Sequence, residues 1–147
     1  MIVLDTNVVS EPIRARPDVG ALHWLGKQDQ PLAVTSITIG ELLVGVHLLP
    51  QGQRRRILLD AVESVLLELP LRLPFDDAAA RAYALLQERA RSAGRPLARE
   101  DGMIAGICLS RGVPLATRNT RDFEHLPIDL VNPWRPDQGE FGGRAHR

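Results

Sequence analysis

Residues 1–11, MIVLDTNVVSE, begin with a short apolar run that ends abruptly in a carboxylate. The run Ile2–Leu4 has the length and the side chains of a buried strand, and Asp5 follows it with no turn residue between them. Asp5 therefore either caps the helix predicted to follow or belongs to a site at the end of the strand. Open parallel sheets bind their ligands at the carboxyl ends of their strands, which makes this a place to look for a functional carboxylate.

The rest of the chain alternates short apolar runs with longer segments of helical periodicity. Strands are predicted at residues 2–4, 32–34, 71–73, 113–116 and 128–131. Helices are predicted at residues 8–13, 19–28, 37–48, 54–67, 77–92 and 99–110. This alternation favours an α/β fold, in which a central, mostly parallel sheet of about five strands is flanked by helices.

Composition is that of a globular protein with one domain. Of the 147 residues, 44% are hydrophobic and 24% are charged, and the formal net charge of zero gives no field that would attract nucleic acid over the whole surface. The domain is expected to span residues 1–134, whereas residues 135–147 are polar and Gly-rich and are expected to form a disordered tail. The lone Cys108 excludes an intramolecular disulfide, which favours a reducing cytoplasm. No stretch approaches the roughly 20 apolar residues of a membrane span.

Most of the 18 acidic residues fall on polar helix faces, but Glu41 and Asp101 do not. Glu41 lies in ITIGELLVGVHLL, residues 37–49, a helix with almost no polar face. Its carboxylate is therefore expected to be buried, which is costly unless a partner or a ligand compensates the charge. Asp101 opens a helix whose same face continues with apolar side chains. The structural alternatives are a buried arginine that pairs with Glu41 and a favourable helix dipole at Asp101.

Two further acids lie at or just beyond the ends of predicted strands. Asp5 ends the first strand, and Asp122 follows the strand at 113–116 within VPLATRNTRDF. Asn119, three residues before Asp122, could also cap a short helix. Because parallel strands end at one edge of a sheet, the four carboxylates are expected to converge there.

Four converging carboxylates without a matching cluster of bases would repel one another unless a cation neutralised them. Hard oxygen ligands of this kind select Mg²⁺, for which Mn²⁺ can substitute. Such a site can activate water for attack at phosphorus. The four histidines lack metal-motif spacing, and no role is predicted for them. They are His23, His47, His125 and His146.

Four motifs, taken in order, resemble the PIN-domain family, and within it the VapC-type ribonuclease toxins of prokaryotic toxin–antitoxin pairs. They are LDTNVVSE at residues 4–11, TSITIGELLVGV at 35–46, DGMIAGICLSRGVPLATRNTRDF at 101–123 and NPW at 132–134. The resemblance covers nearly the whole chain. Small departures are Gly106, where an alanine is more usual, and Pro12 early in the first helix, where proline is tolerated.

The resemblance implies a parallel sheet flanked by helices and Mg²⁺-dependent cleavage of RNA phosphodiester bonds by an activated water. It also implies a homodimer and a cognate antitoxin that blocks the active site. The family's acidic positions correspond to Asp5, Glu41, Asp101 and Asp122. Supporting positions correspond to Thr6, Thr117 and Asn119, the last of which stands where many PIN domains place another acid.

Within this hypothesis Asp5 and Asp101 hold the principal Mg²⁺, and Glu41 and Asp122 bind it directly or through water. Arginines at the rim of the site are expected to steer the RNA backbone. The best candidates are Arg14, Arg118 and Arg121.

Other functions stay open at this point. A phosphatase that works through an aspartyl-phosphate usually needs a second aspartate two residues after the first, where this chain has Asn7. A receiver-type signalling domain needs a lysine near its last strand, and the only lysine is Lys27. A catalytically silent binding module with the same fold would be distinguished by a nuclease assay.

Overall fold

The computed structural model describes residues 1–138, and its helices and strands follow the predicted alternation. The strands are β1 (Ile2–Leu4), β2 (Leu32–Thr35), β3 (Leu71–Leu73), β4 (Leu115–Ala116) and β5 (Leu130–Val131). The helices are α1 (Thr6–Ser10), α2 (Val19–Gly26), α3 (Ser36–His47), α4 (Gln53–Leu67), α5 (Asp77–Ser92), α6 (Arg99–Arg111) and α7 (Thr120–Phe123). Short 3₁₀ turns lie at Glu11–Ile13 and Pro136–Gln138.

The five strands form one parallel sheet in the order β3-β2-β1-β4-β5. β1 lies at the centre, with Val3 opposite Ala33 of β2 on one side and opposite Leu115 of β4 on the other. The chain moves outward from β1 to β3 and then crosses back to β4, so strand order reverses next to β1. Ligands bind at such a reversal, beyond the carboxyl ends of the strands. Asp5 and Thr117 directly follow the two strands that meet there.

The sheet is buried on both faces because successive side chains of a strand point to opposite sides. Ile2 and Leu4 pack into one apolar cluster with residues of α1, α2, α3 and α4. Val3 packs into a second cluster with residues of α5 and α6. Two cores of this kind hold the central strand rigidly, which fixes the position of the carboxylate that follows it.

Helices α5 and α6 approach closely at two glycines of α6. A Cβ atom added at Gly106 would lie 2.7 Å from the carbonyl oxygen of Ala79, and one added at Gly102 would lie 2.9 Å from the Tyr83 ring. Both distances are shorter than real Cβ contacts allow. Gly106, the departure from the more usual alanine, therefore suits the backbone of α5, and the close contact places the start of α6 beside the sheet.

Several boundaries differ from the predicted ones. The first helix begins at Thr6 and changes to a 3₁₀ turn at Glu11, because Pro12 has no N–H to donate to the helical ladder. The third helix extends to Ser36 and the last two strands are shorter than predicted. Asp122 lies in the short helix α7, and Asn119 directly precedes this helix, at the position that was predicted for a capping residue.

The face of α3 that carries Glu41 is more exposed than predicted. Glu41 is only half-buried, and the apolar side chains of Val44 and Leu48 are 57% and 80% exposed. The prediction of a buried face was wrong because α3 contacts α1, α4 and α6 through other residues, which include the fully buried Thr38 and Val46.

Two further features complete the fold. No helix within residues 1–138 is long and apolar enough to cross a membrane. Of the tail predicted at 135–147, the structure describes only the first four residues, where Pro136–Gln138 form a 3₁₀ turn. The prediction of disorder for the remaining residues lies outside the described part of the chain.

Candidate active site

Asp5 is a buried carboxylate at the end of β1, with 4% of its surface exposed. One oxygen accepts a hydrogen bond from the backbone N–H of Thr6 at 2.8 Å, so the predicted capping role is real. The other accepts from the Thr117 hydroxyl at 2.7 Å and from the Asn7 side-chain amide at 3.2 Å. Burial raises the pKa of Asp5, and these three hydrogen bonds oppose that increase. The carboxylate therefore has a fixed position, held by two hydrogen bonds besides the one that caps the helix.

Thr6 connects the start of α1 to α3. Its hydroxyl donates to Oε1 of Glu41 at 2.8 Å and lies 3.1 Å from the hydroxyl of Thr38. Burial raises the pKa of Glu41, the hydrogen bond from Thr6 lowers it, and the charges of Asp5 and Glu100 raise it again. Thr6 therefore connects Glu41 to the start of α1, directly after Asp5.

Asp101 lies in the first turn of α6, and its pKa is raised to about 6. Burial is the largest cause, and four neighbouring carboxylates increase the shift. They belong to Asp5, Asp122, Glu41 and Glu100. The charges of the other three predicted acids therefore act on Asp101.

Glu100 is an exposed acid in the first turn of α6, and it was not among the predicted site residues. Its charge raises the pKa of both Glu41 and Asp101, so it belongs to the edge of the cluster. Asn7 was also missed as a supporting residue: besides donating to Asp5, its Oδ1 accepts from the backbone N–H of Arg118 at 3.2 Å. Its place directly after Asp5 and Thr6 was the only available signal for that role.

Asp122 and Asn119 lie on and just before α7, beyond the end of β4. Asp122 is exposed, and its charge raises the pKa of Asp5 and of Asp101. The backbone N–H of Asn119 donates to the Thr117 hydroxyl at 3.1 Å, while its side chain makes no capping hydrogen bond to α7. Thr117 therefore joins Asp5 to the segment that carries Asp122.

The acids have the chemistry of a hydrated cation site rather than of a tight metal cage. None of the four predicted acids forms a salt bridge with a basic residue of the described chain, which excludes an arginine partner for Glu41 there. In the same part of the chain, no three Asp, Glu, His or Cys side chains are grouped closely enough to hold one ion directly. Mg²⁺ usually keeps several of its waters in proteins and needs only one or two carboxylates as direct ligands. The residues present fit that mode of binding.

The three arginines predicted to steer substrate lie in two places. Arg118 and Arg121 line a cavity of about 470 Å³ that also reaches Asp122, and Arg135 adds a third guanidinium to its wall. Arg118 lies over the ring of Trp134, 5.2 Å from the centroid, which holds its charge at the rim. Arg118 and Arg121 therefore share a cavity with one of the acids.

Arg14 instead pairs with Glu11 at 3.2 Å. Glu11 is 1% exposed and also accepts from the backbone N–H of Asp18 at 2.7 Å. This second buried acid was not predicted, and its contacts are structural: they hold the loop between α1 and α2.

A second cavity, of about 250 Å³, opens on the other side of Asp122. Its walls are formed by the segment 95–98 before α6, by Asp101, by Asp122 and by His125. Both ring nitrogens of His125 are buried and have no hydrogen-bond partner among the described residues. Burial and the charge of Arg95 lower the pKa of His125. No role was predicted for this histidine, and the structure places it against two of the four acids.

Comparison with known proteins gives one consistent family. The PIN domain family model matches residues 2–128. A VapC ribonuclease Y4jK from Sinorhizobium fredii is 42% identical over 139 residues, which is 92% of this chain and 99% of that protein.

Solved structures agree with the sequence match. The crystal structure of FitAcB from Neisseria gonorrhoeae superimposes with a TM-score of 0.84 at 36% identity, over 91% of this chain and 99% of that one. VapBC-5 from Mycobacterium tuberculosis, described as a member of the VapBC family of toxin–antitoxin systems, superimposes with a TM-score of 0.68 at 30% identity, over 88% of this chain and 96% of that one.

Proposed function

Because this chain belongs to the PIN-domain family, in its VapC-type branch, we propose that it is a divalent-cation-dependent endoribonuclease and the toxin of a toxin–antitoxin pair. The observation that carries the proposal is that Asp5 is buried, and Glu41 and Asp101 are half-buried, with no basic partner in the described chain, at the reversal of strand order and beside Asp122. A cluster of unpaired acids is unfavourable for folding. Its presence at a ligand-binding edge is explained by a cation that neutralises it and by a phosphate that the cation attracts.

The acids would hold Mg²⁺ or Mn²⁺, with Asp5 and Asp101 as the principal ligands and the other two as direct or water-mediated ones. When bound, the cation supplies positive charge beside a phosphate oxygen and lowers the pKa of a water. The side chains supply position: Asp5 is fixed by the hydrogen bonds from Thr117 and Asn7. Cleavage then adds the oxygen of water to phosphorus, and the leaving oxygen of the broken P–O bond takes up a proton.

Arginines beside Asp122 would bind the RNA backbone. Arg118, Arg121 and Arg135 line one cavity, and their positive charge suits a row of phosphates that leads toward the acids. This local arrangement would allow a chain whose net charge is zero to bind RNA.

The experiment that tests the proposal is RNA cleavage by the purified protein. We expect cleavage of single-stranded RNA with Mg²⁺ or Mn²⁺, none with EDTA, and a loss of about a hundredfold or more in Asp5→Asn and in Asp101→Asn. Asp60→Asn is the matched control, because Asp60 is an exposed acid of α4 outside the cluster. Full activity in the first two variants would contradict the assignment, and an inactive but folded wild-type protein would favour the silent binding module.

The proposal includes a cognate antitoxin. An apolar groove of about 320 Å³ runs between α1, α2 and α4, and its walls suit apolar side chains of a partner protein. The groove is lined by Leu4, Val8, Val9, Pro12, Leu25, Leu32, Val65, Glu68 and Leu69. Co-expression with the product of the neighbouring reading frame should yield a stable complex whose RNA cleavage is suppressed.

We also propose that the protein is a homodimer in the cytoplasm. The exposed apolar side chains of Val44 on α3, of Leu48 directly after it and of Ile57 on α4 are candidates for burial against a second copy. Val44→Asp together with Leu48→Asp should convert the dimer to a monomer in light-scattering measurements. A wild-type protein that is monomeric at all concentrations would contradict this part.

A further inference from the structure

We propose that Arg95 is a positioning residue of the active site: it holds the short helix α7 in place and so fixes the carboxylate of Asp122 beside Asp101. The two acids line one cavity of about 250 Å³, and residues 95–98 form part of its wall. The inference rests on the proposed function, since it takes Asp122 as a direct or water-mediated ligand of the cation. Arg95 would act on that cation only through Asp122.

The position of Asp122 depends on how well α7 is attached to the rest of the fold. The helix has four residues, far fewer than the roughly 12–15 that an isolated helix needs to be even marginally stable in water. The side chain of Asn119 makes no capping hydrogen bond to it. Asp122 itself is exposed and forms no salt bridge within residues 1–138. Contacts of its neighbours must therefore keep the carboxylate in place.

A buried side chain and a charged hydrogen bond both attach α7. Phe123 is 1% exposed and packs into the apolar cluster that contains residues of α5 and α6. The guanidinium of Arg95 donates to the backbone carbonyl of Arg121 at 2.5 Å. The last carbonyls of a helix have no partner within it, so an arginine is a favourable donor there. This carbonyl belongs to the peptide unit that joins Arg121 to Asp122, so the hydrogen bond acts directly on the backbone that carries the acid.

The position of Arg95 is itself fixed by the end of α5. Gly94 has a left-handed conformation with a φ of 69°, and the backbone N–H of Arg95 donates to the carbonyl of Ala90 at 2.9 Å. This is the hydrogen bond that closes a helix of the Schellman type. Helix α5 packs closely against α6, whose first turn carries Asp101. Arg95 therefore connects the helix of Asp122 to the helix pair that carries Asp101.

The same guanidinium also lies 3.4 Å from the carboxylate of Glu124. The side chains of Arg95 and Glu124 are 44% and 57% exposed, and ion pairs of this kind contribute little to stability. The contact with the carbonyl of Arg121 is different, because it restrains a backbone group rather than a mobile side chain. Loss of the guanidinium should therefore matter, whereas loss of the charge of Glu124 should not.

Hydrogen exchange in EDTA tests whether Arg95 holds α7 in the absence of a cation. The backbone N–H of Asp122 donates to the carbonyl of Asn119 at 3.0 Å, so its exchange rate reports the opening of α7. Arg95→Met keeps the apolar stem and loses the donors, and exchange should become about fivefold faster, the effect of one lost hydrogen bond. Arg95→Lys should recover part of the protection, and Glu124→Gln should match wild type. An unchanged rate in Arg95→Met overturns the inference.

Arg81→Met is the matched control for the loss of an exposed arginine. Arg81 lies on the same helix α5 and pairs with the exposed Asp77 at 2.8 Å. It should leave the exchange rate of the Asp122 amide unchanged. Faster exchange there in Arg81→Met, to the same extent as in Arg95→Met, would show that any weakening of α5 has this effect and would overturn the inference.

Binding of Mn²⁺, followed by the paramagnetic resonance signal of the free ion, tests the effect on the site. Arg95→Met should raise Kd for Mn²⁺ about fivefold, Arg95→Lys should recover part of the affinity, and Arg81→Met should match wild type. The Mn²⁺ concentration for half-maximal RNA cleavage should rise by the same factor, while kcat at saturating Mn²⁺ stays close to that of wild type. An unchanged affinity with a lowered kcat overturns the inference.

A double-mutant cycle shows whether Arg95 acts through Asp122. In the Asp122→Asn background, adding Arg95→Met should cause no further loss of Mn²⁺ affinity. A fivefold loss in both backgrounds would mean that Arg95 affects the cation by another route, which overturns the inference and leaves the proposed function intact. A wild-type protein that binds no Mn²⁺ would contradict the proposed function, and the exchange rates in EDTA would still decide whether Arg95 holds α7.

Discussion

The hydroxyl of Thr117 lies 2.7 Å from Oδ2 of Asp5, although the two residues are 112 positions apart in the chain. The contact exists because β1 and β4 are parallel neighbours that end at the same level of the sheet. It is fully buried, and it is one of three hydrogen bonds that stabilise the charge of a carboxylate inside the fold.

Thr117→Val should remove that hydrogen bond, together with the one that the Thr117 hydroxyl accepts from the N–H of Asn119, with little change in side-chain volume. We expect the free energy of unfolding to fall by about 1–3 kcal/mol, because a buried carboxylate loses a partner, and we expect RNA cleavage to fall as Asp5 moves. Thr117→Ser keeps the hydroxyl and is the matched control. Chemical denaturation measures the effect, and equal loss in both variants would show that packing rather than the hydrogen bond is responsible.

Asp101→Asn should stabilise the protein when divalent cations are absent, although it should abolish cleavage. The pKa of Asp101 rises from 3.8 to about 6 on folding, so the folded state binds the proton more tightly than the unfolded state. Its contribution to stability is therefore complete below pH 3.8 and is lost as pH rises through about 6. Asparagine carries no charge and avoids that loss.

Thermal unfolding in EDTA measures this prediction. The variant should unfold a few degrees above wild type at pH 7.5, and the difference should shrink at pH 4.5 because the wild-type carboxyl is then largely protonated. Asp5 and Glu41 also have raised pKa values, so they shift the wild-type protein in the same direction. A difference that is the same at both pH values would contradict the assigned cause.

Gly106→Ala should destabilise the protein even though alanine is the better helix former. The new Cβ would lie 2.7 Å from the carbonyl oxygen of Ala79, which forces α5 and α6 apart at a cost of about 1–3 kcal/mol. Gly45→Ala is the matched control: it lies in α3 with nothing within 4 Å of its added Cβ. That variant should be as stable as wild type or more stable, by up to about 1 kcal/mol. Equal effects on the urea midpoint would contradict the close packing.

More of the fold than of the site could be predicted from the sequence. The alternation of short apolar runs and helical periods gave the parallel sheet and its flanking helices, because both depend on local patterns. The position of Asp5 directly after the first strand could also be predicted. The burial of Glu11 could not be predicted, because it depends on an irregular loop that brings the backbone N–H of Asp18 to the Glu11 carboxylate.

Tertiary packing also decided two points that periodicity could not. Glu41 lies on an apolar helix, yet its face is half-open because α3 packs through other residues. His125 has no motif around it, and its position against Asp101 and Asp122 depends on how α7 lies beside the start of α6. Contacts between distant elements have no local sequence signal.

The affinity for divalent cations should fall as pH falls through about 6. The carboxyl of Asp101 is raised to that pKa by burial and by its acidic neighbours, and a proton on it competes with the cation. Calorimetric titration with Mg²⁺ at pH 7.5 and at pH 5 measures the change. In Asp101→Asn the remaining affinity should depend less on pH over that interval, and an unchanged dependence would place the titrating group elsewhere.

Binding of Mn²⁺, followed by the paramagnetic resonance signal of the free ion at pH 7.5, tests most directly whether the acids form one cation site. The wild-type protein and Asp60→Asn should bind Mn²⁺ with the same affinity. Asp5→Asn and Asp101→Asn should each bind it about tenfold more weakly or worse. Equal affinity in all four proteins would contradict a cation site built from these carboxylates.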